Sequence, residues 1–264
     1  MLQTVVLALL QSATEFLPVS SSGHLILVPR LLHWPDQGMA ADIALHVGTL
    51  FSVLIYFHRD VWEIAKGCWD VAKRKFDSFP AQFALKLAVA CVPVFIVGFF
   101  CHKYIEENFR SPKLIASTAI IFGVLLYLAD KKGKTEGTTQ SMGIKDAFVI
   151  GAAQVLALIP GVSRSGITIT AARFLGIDRG EAARFSMLLS IPTIGAAGAL
   201  GTLEIIMNPD AQLFSAKLLF VGVFVSFAGG MAAIGFLMRF LKTSSFAVFA
   251  VYRILLGCTL FYLF

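Results

Sequence analysis

The stretch Gln11-Ser12-Ala13-Thr14-Glu15-Phe16-Leu17-Pro18-Val19-Ser20-Ser21-Ser22-Gly23-His24 decides how the chain is read. It interrupts an apolar run, residues 2–32, that would otherwise pass for one long helix. Pro18 cannot continue a helix, and it biases the residue before it toward extended backbone. Three hydroxyls, a glycine and an imidazole follow, and a new helix is expected near His24. Each half of the run has about 15 residues or fewer, whereas a membrane span needs about 20. A hairpin that enters the bilayer and returns to the same side fits better. A second apolar run, residues 147–175, breaks in the same way at Pro160-Gly161-Val162-Ser163-Arg164-Ser165-Gly166. Shifting the sequence by 143 residues lays Gln11 on Gln154, and Val19-Ser20-Ser21-Ser22-Gly23 on Val162-Ser163-Arg164-Ser165-Gly166.

Composition sets the solvent. Of 264 residues, 57% are apolar and 14% are charged. Adding the 22 glycines gives roughly 65%, against about 45–50% in an average soluble domain, where charges make up about 25%. Mean hydropathy is +0.79. These values exclude a disordered chain and an ordinary soluble domain, and they point to an all-α polytopic membrane bundle. The net charge of +6 marks cytoplasmic loops rather than nucleic-acid binding. The four cysteines form no CxxC pair and read as buried free thiols. The N-terminus lacks a basic leader region, so insertion is expected to rely on internal spans.

Five further runs approach spanning length: residues 82–101, 113–129, 185–207, 217–238 and 246–264. A sixth, residues 42–57, is slightly short. About six full spans then place fourteen Lys and Arg on the face holding the loop at residues 58–81, and five on the other. That bias makes the first face cytoplasmic and both termini external. Each half carries one Ser/Gly hairpin and three spans, so the second half enters from the opposite side. The expected architecture is an inverted repeat: residues 1–132, a polar linker at 133–143, and residues 144–264. It brings the two hairpin loops together within the bilayer.

Irregular backbone at membrane depth is tolerated only where protein buries it or where it lines a wet cavity, so a polar pocket is expected. Gln11 and Glu15 share one helix face. A Ser/Gly turn before a helix presents free N–H groups and a positive dipole end, which suits an anion. Arg164 adds bidentate donors matched to phosphate, and its burial needs a compensating charge from Glu15 or from a phosphate. Asp42 and His46, on one face of a span, are weaker candidates. Lys86 and Arg253 lie close enough to helix ends to snorkel or pair. Gln154 reads as structural. Gly195, Gly198 and Gly201 read as allowing close helix packing.

Taken together, Gln11-x-x-x-Glu15, Phe16 to His24, Pro160 to Gly166 with Thr168, Glu181-Ala182-Ala183-Arg184-Phe185-Ser186 and Ile191-Pro192 resemble the undecaprenyl pyrophosphate phosphatase family of the bacitracin-resistance type. The likeness covers nearly the whole chain. The family's position four before the acid is Glu or Gln, here Gln11. Its loop is often Ser-Ser-Thr, here Ser-Ser-Ser. The resemblance implies an inner-membrane enzyme that hydrolyses C55 isoprenyl diphosphate to the monophosphate and inorganic phosphate. It implies dependence on a divalent cation (Mg²⁺ or Ca²⁺), an acidic motif at the metal or phosphate site, and an active site facing outward. Membrane lipids are then its surroundings, no nucleic acid is a partner, and a homodimer stays open.

On that basis Arg164 is expected to clamp the diphosphate. Ser163, Ser165, Gly166 and Thr168 complete its cradle, and Ser20, Ser22 and Gly23 provide the facing one. Gln11 and Glu15 are expected beside the cation. Ser21 is the candidate nucleophile with His24 as its base. His24 as nucleophile, and metal-bound water with His24 as acid/base, are alternatives that the sequence leaves open. A secondary transporter or flippase for a lipid phosphate would need the same intramembrane anion site.

Overall fold

Leu17 is extended (ψ 140°), as a residue before proline should be, and it ends the first helix. The computed structural model describes residues 1–35, 38–109, 111–133, 136–207 and 215–264. Arg110 and Lys134 of the charge distribution, and part of the 133–143 linker, lie outside the described residues, as does the Lys103 side chain. Among the described residues eleven α-helices form: α1 Leu2–Phe16, α2 Ser21–Leu31, α3 Gly38–Tyr56, α4 His58–Ala72, α5 Phe79–Asn108, α6 Pro112–Lys132, α7 Ile144–Gln154, α8 Arg164–Phe174, α9 Arg179–Met207, α10 Ala216–Phe240 and α11 Ala247–Leu263. A 3₁₀ turn, Val155–Leu158, extends α7. Among the described residues four helices are long and apolar enough to cross a membrane: Phe79–Cys101, Pro112–Lys132, Arg179–Met207 and Ala216–Phe240. The bent pair α3–α4 makes a fifth if counted as one span. The count falls short of the six expected because α11 has only 17 residues and the α3–α4 pair bends by 87°.

That bend corrects the sequence reading in a second way. Residues 58–72, taken as loop, are the amphipathic helix α4. Gly67 lets it approach α5 closely; a Cβ there would meet the Pro80 carbonyl. Trp62 and Trp69 stay exposed, with Lys66 and Lys73 over their rings at 5.8 and 4.6 Å. This pattern suits a helix lying in the membrane–water interface.

The core is built around Phe16, Ile169, Phe185, Leu188, Leu189, Leu237 and Phe246. α3 and α1 pack on α10, α5 on α7, and α6 on α11. Close approach is made by Gly48 against Val223 and by Gly257 against Ala116. Gly195 and Gly198 do not serve this purpose: a Cβ at either would meet nothing within 4 Å. Their part of α9 turns outward, beside exposed Leu200, Leu203 and Ile206. Of the cysteines, all free, only Cys91 is buried. Arg173, counted as a loop residue, is fully buried in α8, and Arg173 and Arg179 both pair with Asp130. Arg184 joins Asp60 of α4 to Glu181, which also accepts from Thr139 Oγ1 at 2.6 Å. Lys86 reaches the Thr139 and Gln140 carbonyls, each at 3.2 Å.

Arg253 of α11 does not snorkel. It is fully buried and donates to Gly161 O (2.9 Å), Val162 O (2.8 Å) and Pro18 O (3.4 Å), so one guanidinium holds both helix breaks. Those carbonyls have left their helices and need donors. Arg253→Leu is expected to destabilise the purified protein by about 3 kcal/mol or more, since each buried unpaired acceptor costs about 1–3 kcal/mol. The check is thermal unfolding in detergent, and an unchanged midpoint would contradict that role.

Candidate active site

The two breaks share one construction. Ser20 (φ 76°) and Ser163 (φ 72°) both lie in the left-handed region, which serine enters only when its surroundings enforce it. Each caps the helix that follows. Ser20 Oγ accepts from Gly23 N at 3.4 Å, and Ser163 Oγ accepts from Gly166 N at 3.1 Å. Each cap hydroxyl also meets the serine two residues on, Ser22 at 3.4 Å and Ser165 at 3.3 Å. The breaks touch: Ser165 Oγ donates to the Leu17 carbonyl at 3.2 Å.

Glu15 sits at the junction, 7% exposed. One carboxylate oxygen, Oε2, accepts from Ser21 Oγ at 2.7 Å and from Gln11 Nε2 at 3.0 Å. The other, Oε1, accepts from Arg164 Nη2 at 3.3 Å. Arg164 Nη1 donates to the Ser186 carbonyl at 2.8 Å. Two polar atoms are left over. Arg164 Nε is a buried donor and Gln11 Oε1 a buried acceptor, and neither has a partner. A buried polar atom without a partner is costly, and this site has one of each sign around a single carboxylate.

Not every expected residue offers a free group. Ser20, Ser163, Ser165 and Thr168 are buried and bonded inside the protein, Thr168 to the Arg164 carbonyl (2.9 Å) and Ser186 Oγ (2.7 Å). Gly23 and Gly166 are the capped positions, while Ser22 is exposed and Ser21 half-buried. The Ser21 hydroxyl turns to Glu15 rather than to His24. His24 Nδ1 donates to the Ser20 carbonyl at 2.7 Å, which fixes the tautomer and leaves Nε2 to accept from Tyr252 OH at 2.6 Å. Gln154, which corresponds to Gln11 in the second half, is buried with neither amide atom bonded, and the residue matching Glu15 is Leu158.

Four residues enter that the sequence reading discounted or missed. His46, a weaker candidate there, brings Nε2 to 4.0 Å from Glu15 Oε2 while Nδ1 donates to the Asp42 carbonyl. Ser186, Tyr252 and Arg253 come from α9 and α11, far along the chain. The only sequence signal for Tyr252-Arg253 is an arginine inside an apolar run.

For a divalent cation the fit is in the donor set. Among the described residues no group of three or more His, Cys, Asp and Glu could hold a metal. Glu15 and the unpartnered Gln11 Oε1 supply two oxygens, which suits Mg²⁺ or Ca²⁺ when substrate phosphates and waters complete the shell.

Known proteins match this chain over nearly its whole length. Residues 4–259 match the family described as bacitracin resistance protein BacA. The chain is 47% identical over 255 residues to the undecaprenyl-diphosphatase of Jannaschia sp. (strain CCS1), covering 96% of this chain and 95% of that one. It is 44% identical over 264 residues to that of Ruegeria sp. (strain TM1040), covering 100% and 98%. With that of Campylobacter concisus (strain 13826) it shares 45% over 261 residues, covering 98% and 97%. Matched over almost its full length to the profile and to these relatives, the chain belongs to the BacA family.

Proposed function

We propose that this protein is an undecaprenyl-diphosphatase of the bacterial membrane, hydrolysing the C55 diphosphate to undecaprenyl phosphate and inorganic phosphate. The observation that carries this reading at the level of chemistry is the pair of unpartnered atoms beside Glu15. Arg164 Nε is a free buried donor for a diphosphate oxygen, and Gln11 Oε1 a free buried acceptor that would hold a divalent cation. The relatives' names supply the substrate class.

Phosphoryl transfer asks the protein for positioning and charge neutralisation. Arg164 binds the terminal phosphate with the donors that Glu15 and Ser186 leave free. Glu15 accepts the Ser21 proton along the existing 2.7 Å hydrogen bond. Ser21 Oγ then bonds to the terminal phosphorus as the bond to the bridging oxygen breaks, and the lipid monophosphate leaves. Water displaces the serine, Glu15 returns the proton to Ser21 Oγ, and inorganic phosphate departs. His24 acts through position: bonded to Ser20 O and Tyr252, it holds the strained turn that aims Ser21. The buried hydroxyls of Ser20, Ser163, Ser165 and Thr168 hold the two loops in shape, so that backbone N–H groups and Ser22 face the phosphate. A cation held by Glu15 and Gln11 would neutralise phosphate charge.

The fold reading behind this is an inverted repeat with two re-entrant hairpins, α1–α2 and α7–α8. Three features support it. The breaks match in φ and in capping. α1 packs on α10 as α7 packs on α5, and α6 packs on its counterpart α11. The helices α3 and α11 then also cross, with a mismatch that local thinning of the bilayer absorbs. The basic bias supports a cytoplasmic α4, and an outward-facing site is what the family resemblance implies.

Phosphate release by purified protein from C55 diphosphate tests the proposal. Turnover is expected, and EDTA is expected to stop it. Binding and vesicle transport of a lipid phosphate without phosphate release would favour a carrier. Tyr252→Phe removes one hydrogen bond from His24 and is expected to lower kcat about 2- to 10-fold with the fold intact, the range of one such bond. A loss beyond 100-fold would make Tyr252 a participant in the chemistry.

A further inference from the structure

A cavity of about 660 Å³ opens between the end of α3 and the last turns of α10, away from Glu15 and Arg164. Its walls are Met231, Gly235, Phe236, Phe240 and the Tyr56 ring, and Arg239 is the charged residue in its lining. We propose that this cavity binds an anionic phospholipid, with the headgroup phosphate on Arg239 and an acyl chain along the apolar wall of α10.

Depth, shape and charge support that occupant. Tyr56 is the last residue of α3, and α4 turns away by 87° directly after it. α4 carries the exposed Trp62 and Trp69, the residues that settle at headgroup level. The cavity mouth is therefore at the membrane surface, and Met231 to Arg239 runs about 12 Å from it toward the bilayer interior. Phe236 is 53% exposed on this lipid-facing side. The volume falls within the usual range for ligand sites, about 300–1,000 Å³.

Charge selects an anionic lipid. Arg239 is exposed, and among the described residues no carboxylate is paired with it. The acids of α4 are engaged elsewhere, Asp60 with Arg184, Glu63 with Lys66, and Asp70 with Ser78. A zwitterionic headgroup would bring its own cation toward Arg239, whereas an anionic one would not. A guanidinium also takes phosphate in a bidentate fork.

Thermal unfolding of the purified protein in detergent tests this, with phosphatidylglycerol, phosphatidylcholine or inorganic phosphate added. Saturating phosphatidylglycerol is expected to raise the midpoint by about 5 °C, and the other two by much less. Arg239→Gln and Gly235→Leu should each remove at least half of that shift. A Cβ at Gly235 meets only Tyr56, at 3.7 Å, so leucine fills the cavity without a backbone clash. Both variants should release phosphate at the parent rate in detergent alone, which shows them folded. Equal shifts with phosphatidylcholine, an equal shift with inorganic phosphate, or a full shift retained by both variants would overturn the proposal. So would a shift that follows protein concentration instead of lipid, which would place a second copy of the chain in the cavity.

Discussion

Arg164→Ala is expected to lower kcat/KM for phosphate release by about 10³-fold or more while the protein remains folded. Loss of one preorganised donor typically costs about 10²–10³ in kcat. Here the substitution removes the donors that face the phosphate and the cation that compensates Glu15. Arg164→Lys keeps a charge but loses the planar fork that spans Glu15, Ser186 and the phosphate. It should fall in between, at about 10- to 100-fold below the parent. A thermal midpoint in detergent separates this from unfolding. Turnover of the alanine variant within tenfold of the parent would reject the clamp.

Glu15→Gln is expected to cost about 10²–10⁴ in kcat, the span of a lost general base. The amide keeps the shape of the carboxylate and can still meet Ser21 and Gln11, but it cannot take the Ser21 proton. The informative comparison is with Ser21→Ala. If Glu15 works by activating Ser21, the double variant should be no slower than the worse of the two single ones, because the pair acts as a unit. Multiplicative losses would mean that the two residues act in separate steps, with water rather than Ser21 attacking.

Much of this site was legible because it is written locally. Proline, serine and glycine interrupt apolar sequence twice, and the interruptions carry their own chemistry: Gln11 and Glu15 one turn apart, and Arg164 where only a compensated charge can stay. The 143-residue offset links the two in the sequence itself, and the shared φ of Ser20 and Ser163 is the geometric form of that match. What stayed hidden was set at long range. Tyr252 reaches His24 across 228 residues, and Arg253 reaches Pro18 across 235. No local pattern on an apolar helix announces either contact. His46 differs only in degree, since its distance to Glu15 depends on how α3 leans on α1. The helix α4 was hidden by its own composition: charges that complete an interfacial helix look like a loop when they are only counted. Gly195 and Gly198 run in the opposite direction, because small residues permit close packing without requiring a partner.

That two breaks from distant parts of the chain hold one diphosphate is tested most directly by an experimental structure with a non-hydrolysable prenyl methylene-diphosphonate. The terminal phosphonate is predicted to lie within hydrogen-bonding distance of both the Arg164 guanidinium and Ser21 Oγ, beside Glu15. A headgroup held by only one of the two breaks, or bound elsewhere in the bundle, would contradict it.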